Sequence, residues 1–268
     1  MASIDRRGRN EGWSLIGLAL GILVIVGGHL AGGGSIRSFV HPVAIIVVLG
    51  GTTAALLVSY PGHILWEAVS GIGAALLRPP RSPEDLVSLF ADFARRMRRH
   101  GFRAIEDEIT ATDDPFLARA LVLASAGMRP EVVRAALETD ARVSVDLDEE
   151  RAQVFEAAAG YAPTLGIIGA VIGLMRVMQS ISSPTQVGAG IAAAFVATIY
   201  GVGLANLVFL PFATRLRARS RIAALRRDLT IDGVMALLEG LHPTMVEERL
   251  AGYLRTHGDD GGRASVVA

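Results

Sequence analysis

Apolar and polar positions alternate along this chain in long blocks. Four apolar stretches run over 13–31, 39–59, 162–180 and 188–212, and none contains Asp or Glu. At ~1.5 Å rise per residue each is long enough, as a helix, to cross a ~30 Å hydrocarbon layer. About a hundred mostly polar, arginine-rich residues separate the first pair from the second. Within that block Leu86, Leu89, Phe90, Phe93 and Met97 recur at helical spacing, which makes one apolar stripe with Arg95 and Arg99 on the far side. Ser82-Pro83-Glu84-Asp85 is a helix-start pattern, with Ser82 as cap, and Gly101 a stop. Short helices are expected near 102–110 and after Pro115. Another should begin at Pro130, with a successor from about Ser144 leading into the third apolar stretch. Residues 63–77, with Trp66, read as an extension of the second stretch or as an interfacial helix. A helix over 215–239 follows the fourth stretch, and the Gly- and Asp-rich 257–268 reads as disordered.

The pattern predicts an all-α integral membrane protein with four transmembrane helices. Its regions are an N-terminal arm and first hairpin (1–60), a helical domain (61–160), a second hairpin (161–212), and a C-terminal helix and tail (213–268). Arginine placement sets the expected topology. Arg6, Arg7 and Arg9 precede the first stretch, and twelve arginines from Arg78 to Arg151 lie in the large loop. Arg215, Arg217, Arg219, Arg221, Arg226 and Arg227 follow the fourth, whereas 32–38 holds only Arg37 and 181–187 holds no basic residue. Both termini and the large loop are therefore expected in the cytoplasm. The first stretch is expected to stay as a span and not be cleaved as a signal peptide, since a second span follows directly.

Composition narrows the chemistry. With 51% apolar residues and 30 glycines the chain is unlike an ordinary soluble domain. Its formal net charge is +0, which gives no electrostatic case for nucleic acid. There is no cysteine, and all 26 basic residues are arginine. Thiol chemistry, Schiff bases and a phosphate-binding loop lysine are thereby excluded. No nucleophile–base set or metal cluster is visible, so neither an enzyme nor a cofactor is expected. Small-residue pairs, Gly17/Gly21 and Gly169/Gly173, suit close helix contact in lipid. Arg176, a lone charge in an apolar stretch, reads as snorkelling to the interface; His29 and His41 lie near the same outer surface.

Pro163 to Leu174 resembles the third transmembrane helix of the MotA/PomA family, the flagellar motor stator A subunits. Ala197-Thr198-Ile199-Tyr200-Gly201 and Leu204 to Pro211 resemble the fourth. Arg98 to Glu106 resembles that family's cytoplasmic loop, and Asp232 to Gly240 with Pro243 its tail. The resemblance implies a bacterial inner-membrane protein that self-associates as a ring, understood as a pentamer, within membrane lipid. Its ring would enclose a MotB-type, single-span, peptidoglycan-binding subunit whose aspartate carries the ion, and would push on the rotor protein FliG. Pro163 and Pro211 match the prolines tied to conformational change, and Thr198 a threonine of the ion path. Arg98 and Glu106 match the rotor-contact pair. Ala170 stands where sodium-driven relatives carry a threonine. A methyl offers no oxygen to replace sodium's hydration shell, so the expected ion is H+ and not Na+. The competing readings are an ExbB/TolQ-like motor subunit, a solute transporter and a non-conducting scaffold.

Overall fold

The computed structural model describes residues 5–77, 82–179 and 184–263. Among them every regular element is helical. Arg78, the start of the 181–187 connection and residues 264–268 lie outside the described set. Two compact units form, one from Met1–Pro79 with Asp148–Arg217 and the other from Pro80–Leu147 with Ala218–Ala268.

The first unit holds the most apolar helical segments. Helix α1 covers Asp5–Ala31, and a 3-10 turn covers Ile36–Phe39. Pro42–Ser59 is one helical stretch made of α2 (Pro42–Ile45), a π turn (Ile46–Gly50) and α3 (Gly51–Ser59). It ends because Pro61 forces the residue before it out of helical geometry. Tyr60 is accordingly extended at φ −131° and ψ 145°, and a separate helix α4 (Gly62–Leu77) begins. The 63–77 segment is therefore not an extension of the second apolar stretch. Its Trp66 is 74% exposed. Among the described residues three helices are long and apolar enough to cross a membrane: Pro42–Ser59, Pro130–Gln179 and Gln186–Leu238. Ile16–Ala31 is a shorter apolar helix among the described residues.

Helix α8 runs unbroken over Pro130–Gln179. The expected break near Ser144 is absent, because that hydroxyl bonds back to the Asp140 carbonyl at 2.8 Å and leaves the backbone ladder intact. Helix α9 (Pro184–Leu204) passes through a π turn (Ala205–Phe209) into α10 (Leu210–Leu238). The helix expected over 215–239 is thus the end of a longer rod.

The second unit packs its helices around one apolar core. Helix α5 (Pro83–His100) buries Leu86, Phe90 and Phe93 and half-buries Leu89 and Met97, as its stripe requires. Gly101 closes it with φ 69°. Ser82 occupies the cap position but makes no cap bond; its hydroxyl binds the Glu84 carboxylate instead. A 3-10 turn (Phe102–Ile105), α6 (Glu106–Ala111) and α7 (Pro115–Ser125) follow. Asp114 caps α7, accepting from the Phe116 and Leu117 amides at 3.2 and 3.3 Å. Helix α11 (Pro243–Arg263) packs Val246 and Leu250 into the same core. Helical structure therefore reaches Arg263, into the tail expected to be disordered, because propagation needs only one new bond per residue once the docked turns exist.

Candidate functional site

The site follows from how α8 and α9 approach each other within the first unit. A Cβ added to Gly201 would lie 2.6 Å from the Ala162 carbonyl oxygen and 3.1 Å from the Pro163 Cα. A Cβ on Gly173 would lie 2.9 Å from both the Ala194 nitrogen and the Gly190 carbonyl oxygen. Those neighbours are backbone atoms, which cannot rotate away as a side chain can. The two helices thus touch main chain to main chain along a seam that only glycine permits. Lipid tails are as apolar as leucine, so close van der Waals contact replaces the hydrophobic drive that holds helices together in water. Ala44 and Val48 pack beside the seam on Val196 and Ala197, and the Tyr200 hydroxyl donates to the Phe39 carbonyl.

Pro163 is interior to α8 and not at a helix start. It has no N–H to offer the carbonyl one turn before it, which weakens the rod at the point where Gly201 presses on it. Thr198 faces the same seam, its Cα 3.5 Å from the position of a Gly166 Cβ. Its hydroxyl donates to the Ala194 carbonyl at 3.2 Å, a bond within its own helix. Ala170 is half-buried, next to Gly169, whose added Cβ would meet the Ala197 Cβ at 2.8 Å. The structure therefore brings Pro163 and Thr198 onto one seam, with Ala170 at its flank.

Pro211 lies farther along the second rod, directly after the π turn. The Leu210 amide reaches five residues back to the Ala205 carbonyl, and the frame shift precedes the residue that cannot donate. Periodicity gives no sign of such a turn. A second one at Ile46–Gly50 places Val48 fully buried against α9. Each rod of the second hairpin thus carries a proline, and one of them carries it beside a widened turn.

Arg98, in the last turn of α5, and Glu106, the first residue of α6, are both exposed in the second unit. Arg98 lines an open groove with Arg95, Arg99, His242 and Glu247. The tail segment beginning at Asp232 has a structural task that the sequence did not disclose. Asp232 is 8% exposed and takes hydrogen bonds from Arg134 at 2.8 Å and from the Tyr253 hydroxyl, with Arg249 at 3.5 Å. Burial alone would raise this carboxyl; the Tyr253 and Arg134 hydrogen bonds and the nearby guanidinium charges hold it below the usual range. The Tyr253 hydroxyl is pushed up to about 12 by burial and by that carboxylate. One acid therefore ties α8, α10 and α11 together. Arg217 makes a comparable clamp in the first unit, with Glu149 at 2.6 Å and with Glu156.

Fold and seam define a class, the helical membrane proteins whose packing rests on small residues. The MotA/TolQ/ExbB proton channel family model matches residues 108–228, and the motility protein A N-terminal model matches 15–101. Motility protein A of Bacillus subtilis (strain 168) is 32% identical over 243 residues, covering 90% of this chain and 90% of that protein. Chemotaxis protein PomA of Vibrio alginolyticus is 32% identical over 252 residues, 94% of this chain and 96% of that protein. The flagellar MotAB stator complex from Bacillus subtilis supplies a solved chain with TM-score 0.81 at 30% identity, covering 95% of this chain and 98% of that one. The chain belongs to the MotA/PomA family of flagellar motor stator A subunits.

Proposed function

We propose that this chain is the moving wall of a proton path. A ring of its copies, five by family likeness, surrounds MotB-type single-span subunits in the bacterial inner membrane, with four spans per chain and both termini in the cytoplasm. Inward proton flow then turns the ring, and Arg98 and Glu106 press on the rotor protein FliG. The observation that carries this reading is a close-packed seam with no acid in it: the stretches 162–180 and 188–212 contain no Asp or Glu. The carboxylate that titrates during transport must come from another chain, and the solved structure that this chain resembles is a MotAB complex, in which a second subunit is present. Nor does the seam provide an oxygen cage. Thr198 bonds within its own helix, and Ala170 presents a methyl, which favours protons over sodium. Protonation of the borrowed carboxylate removes its charge, and the seam can then re-form around a neutral group. Pro163 and Pro211 give the two rods the places to bend. One charge crossing 100 mV yields about 2.3 kcal/mol, roughly four times RT, enough to drive a helix rearrangement.

The test reconstitutes the chain with its partner subunit in liposomes and follows a pH dye under an imposed potential. Flux should vanish when the partner's membrane carboxylate is replaced by its amide, and should persist without sodium. Equal flux from the chain alone, or flux that stops on sodium removal, would refute the proposal.

A further inference from the structure

Outside the seam, the first unit carries a cluster of charged side chains. The chain passes between its two units at three places, after Pro79, before Asp148 and after Arg217. Within the first unit the helices that lead to those points are α4, α8 and α10. Two arginines tie all three together just short of them. Arg217 of α10 reaches two carboxylates of α8 with one guanidinium. Its Nε and Nη2 donate to Glu149 at 3.1 and 2.6 Å, its Nη2 to Glu156 at 2.7 Å, and its Nη1 to Glu156 as well. Arg151 of α8 donates to Glu67 of α4 at 3.1 and 2.5 Å, and to Asp148 at 2.9 Å. Phe155, next to Glu156, also meets Phe212 of α10 edge to face at 5.9 Å.

Glu149 and Glu156 stand about two helical turns apart, so both project from one face of α8. Arginine suits such a pair, because its planar guanidinium presents a fork of N–H donors and keeps its charge at any physiological pH. A lone exposed ion pair does little, but a fork shared between two carboxylates fixes distance and angle together. Position matters as much as strength. Along α10 the order is Pro211, Arg217 and then the unit boundary; along α8 it is Pro163, Glu156, Glu149 and then the boundary. On each rod the tie therefore stands between the proline and the point where the chain leaves the first unit. A bend at either proline would dissipate if the two rods could slide independently beyond it. Bound by Arg217 they move as one body, and α4 moves with them through Glu67.

We propose that Arg217 and Arg151 are coupling residues of this motor subunit: they carry movement at the seam to the rest of the chain and take no part in ion passage. The proposal rests on the functional reading above and adds to it the route by which force leaves the first unit. Without the tie, protons should still flow and the work should be lost.

Two readouts on the full chain with its partner subunit separate coupling from stability. Proton flux in liposomes, where no rotor applies a load, reports the path. In cells tethered by a flagellum, rotation speed rises in steps as units join the motor; the number of steps reports assembly, and their height the torque per unit. Arg217→Gln should lower step height by about half or more, because the α8–α10 tie goes while the α4–α8 tie remains. Step number and flux should stay near wild type. Glu149→Gln together with Glu156→Gln should do the same, and adding Arg217→Gln to that pair should lower the step no further, since the three groups form one interaction. Arg221→Gln, at an exposed arginine one turn on, should change neither readout. Normal step height in Arg217→Gln, flux that falls in proportion to step height, a loss that adds to that of the paired variant, or an equal fall in Arg221→Gln each overturns the proposal. Should Arg217→Gln not assemble at all, the paired glutamate variant, which keeps the guanidinium, decides by the same readouts. A wild-type complex that carries no protons or gives no steps would refute the functional reading, and the coupling role with it.

Discussion

The two units of this chain solve the same problem, holding helices together, with opposite materials. In the second unit Phe90, Phe93, Ile105, Leu121, Leu137, Leu229 and Leu250 are fully buried, and the two phenylalanine rings meet edge to face at 5.7 Å. In the first, Gly166, Gly173, Gly190 and Gly201 bring one helix against the backbone of the other, and large side chains such as Leu23, Val24, Phe195 and Met178 stay exposed. Water rewards the burial of bulk at about 25 cal/mol per Å² of apolar surface, whereas lipid gives no such reward and leaves close contact as the favourable term. The same residue type therefore has opposite value in the two places. Glycine under Phe90, at Gly233, makes room for a ring; glycine at 173 and 201 makes room for a backbone.

The contrast can be broken by substitution. Phe93→Ala should have the largest effect, about 3–5 kcal/mol of stability, because it empties a filled core. Thermal unfolding of the purified protein, followed by circular dichroism, would show it; a shift equivalent to less than 1 kcal/mol would mean that this core is not what holds the second unit. Gly173→Val should cost about 1–3 kcal/mol through the reverse fault, overfilling, and should also lower proton flux in liposomes. A destabilised variant with unchanged flux would separate the seam from the ion path.

Asp232→Asn sharpens the comparison by charge, with an expected loss of about 1.5–3 kcal/mol, the range for hydrogen bonds to ionised groups. The wild-type pH dependence should point the same way. Asp232 and Asp114 both have folded-state pKa values below their ordinary ones; for Asp114, burial works upward and is outweighed by the Arg226 hydrogen bond and the capped amides. A depressed carboxylate contributes stability that is fully present above the unfolded value of about 3.9 and is lost as pH falls through the lower folded value. Acid melts should therefore weaken the second unit from about pH 4 downward. The glycine seam, which contains no carboxylate, should not follow. Parallel loss in hydrogen exchange from the second unit and from the seam itself would contradict this.

The smallest stability effect is expected at Arg98→Ala and Glu106→Ala, within about 0.5 kcal/mol, since both side chains are exposed. Swimming of cells carrying either variant should nonetheless fall. Normal motility would remove these residues from the rotor contact.

Periodicity carried most of the fold. The stripe from Leu86 to Met97, the stop at Gly101 and the restart at Pro115 are local signals, and each appears where its chemistry places it. What stayed hidden depends on contacts distant in sequence or on backbone register. No residue near 144 signals whether a helix continues, because Ser144 serves equally as a cap or as a back-bonded interior hydroxyl. The π turns at Ile46–Gly50 and Ala205–Phe209 add one residue to a turn without changing composition. The Asp232 clamp joins residues 98 positions apart, and Ser82 gave its hydroxyl to a neighbouring carboxylate that competes with the backbone. At the site, Pro163 and Thr198 were legible only as residues of a resembling motif. Their meeting across Gly166 and Gly201 is a three-dimensional fact.

The α8–α9 seam has a mechanical consequence. Interlocking side chains act as teeth, and helices joined by them move only by jumping from one notch to the next. Here the meeting surfaces are α-carbons and carbonyl oxygens, nearly smooth at the scale of a methyl group. Friction along such a track is low, and a slip of an ångström or so meets few steps. Evolution, for its part, has no smaller residue than glycine with which to repair the track once it is roughened.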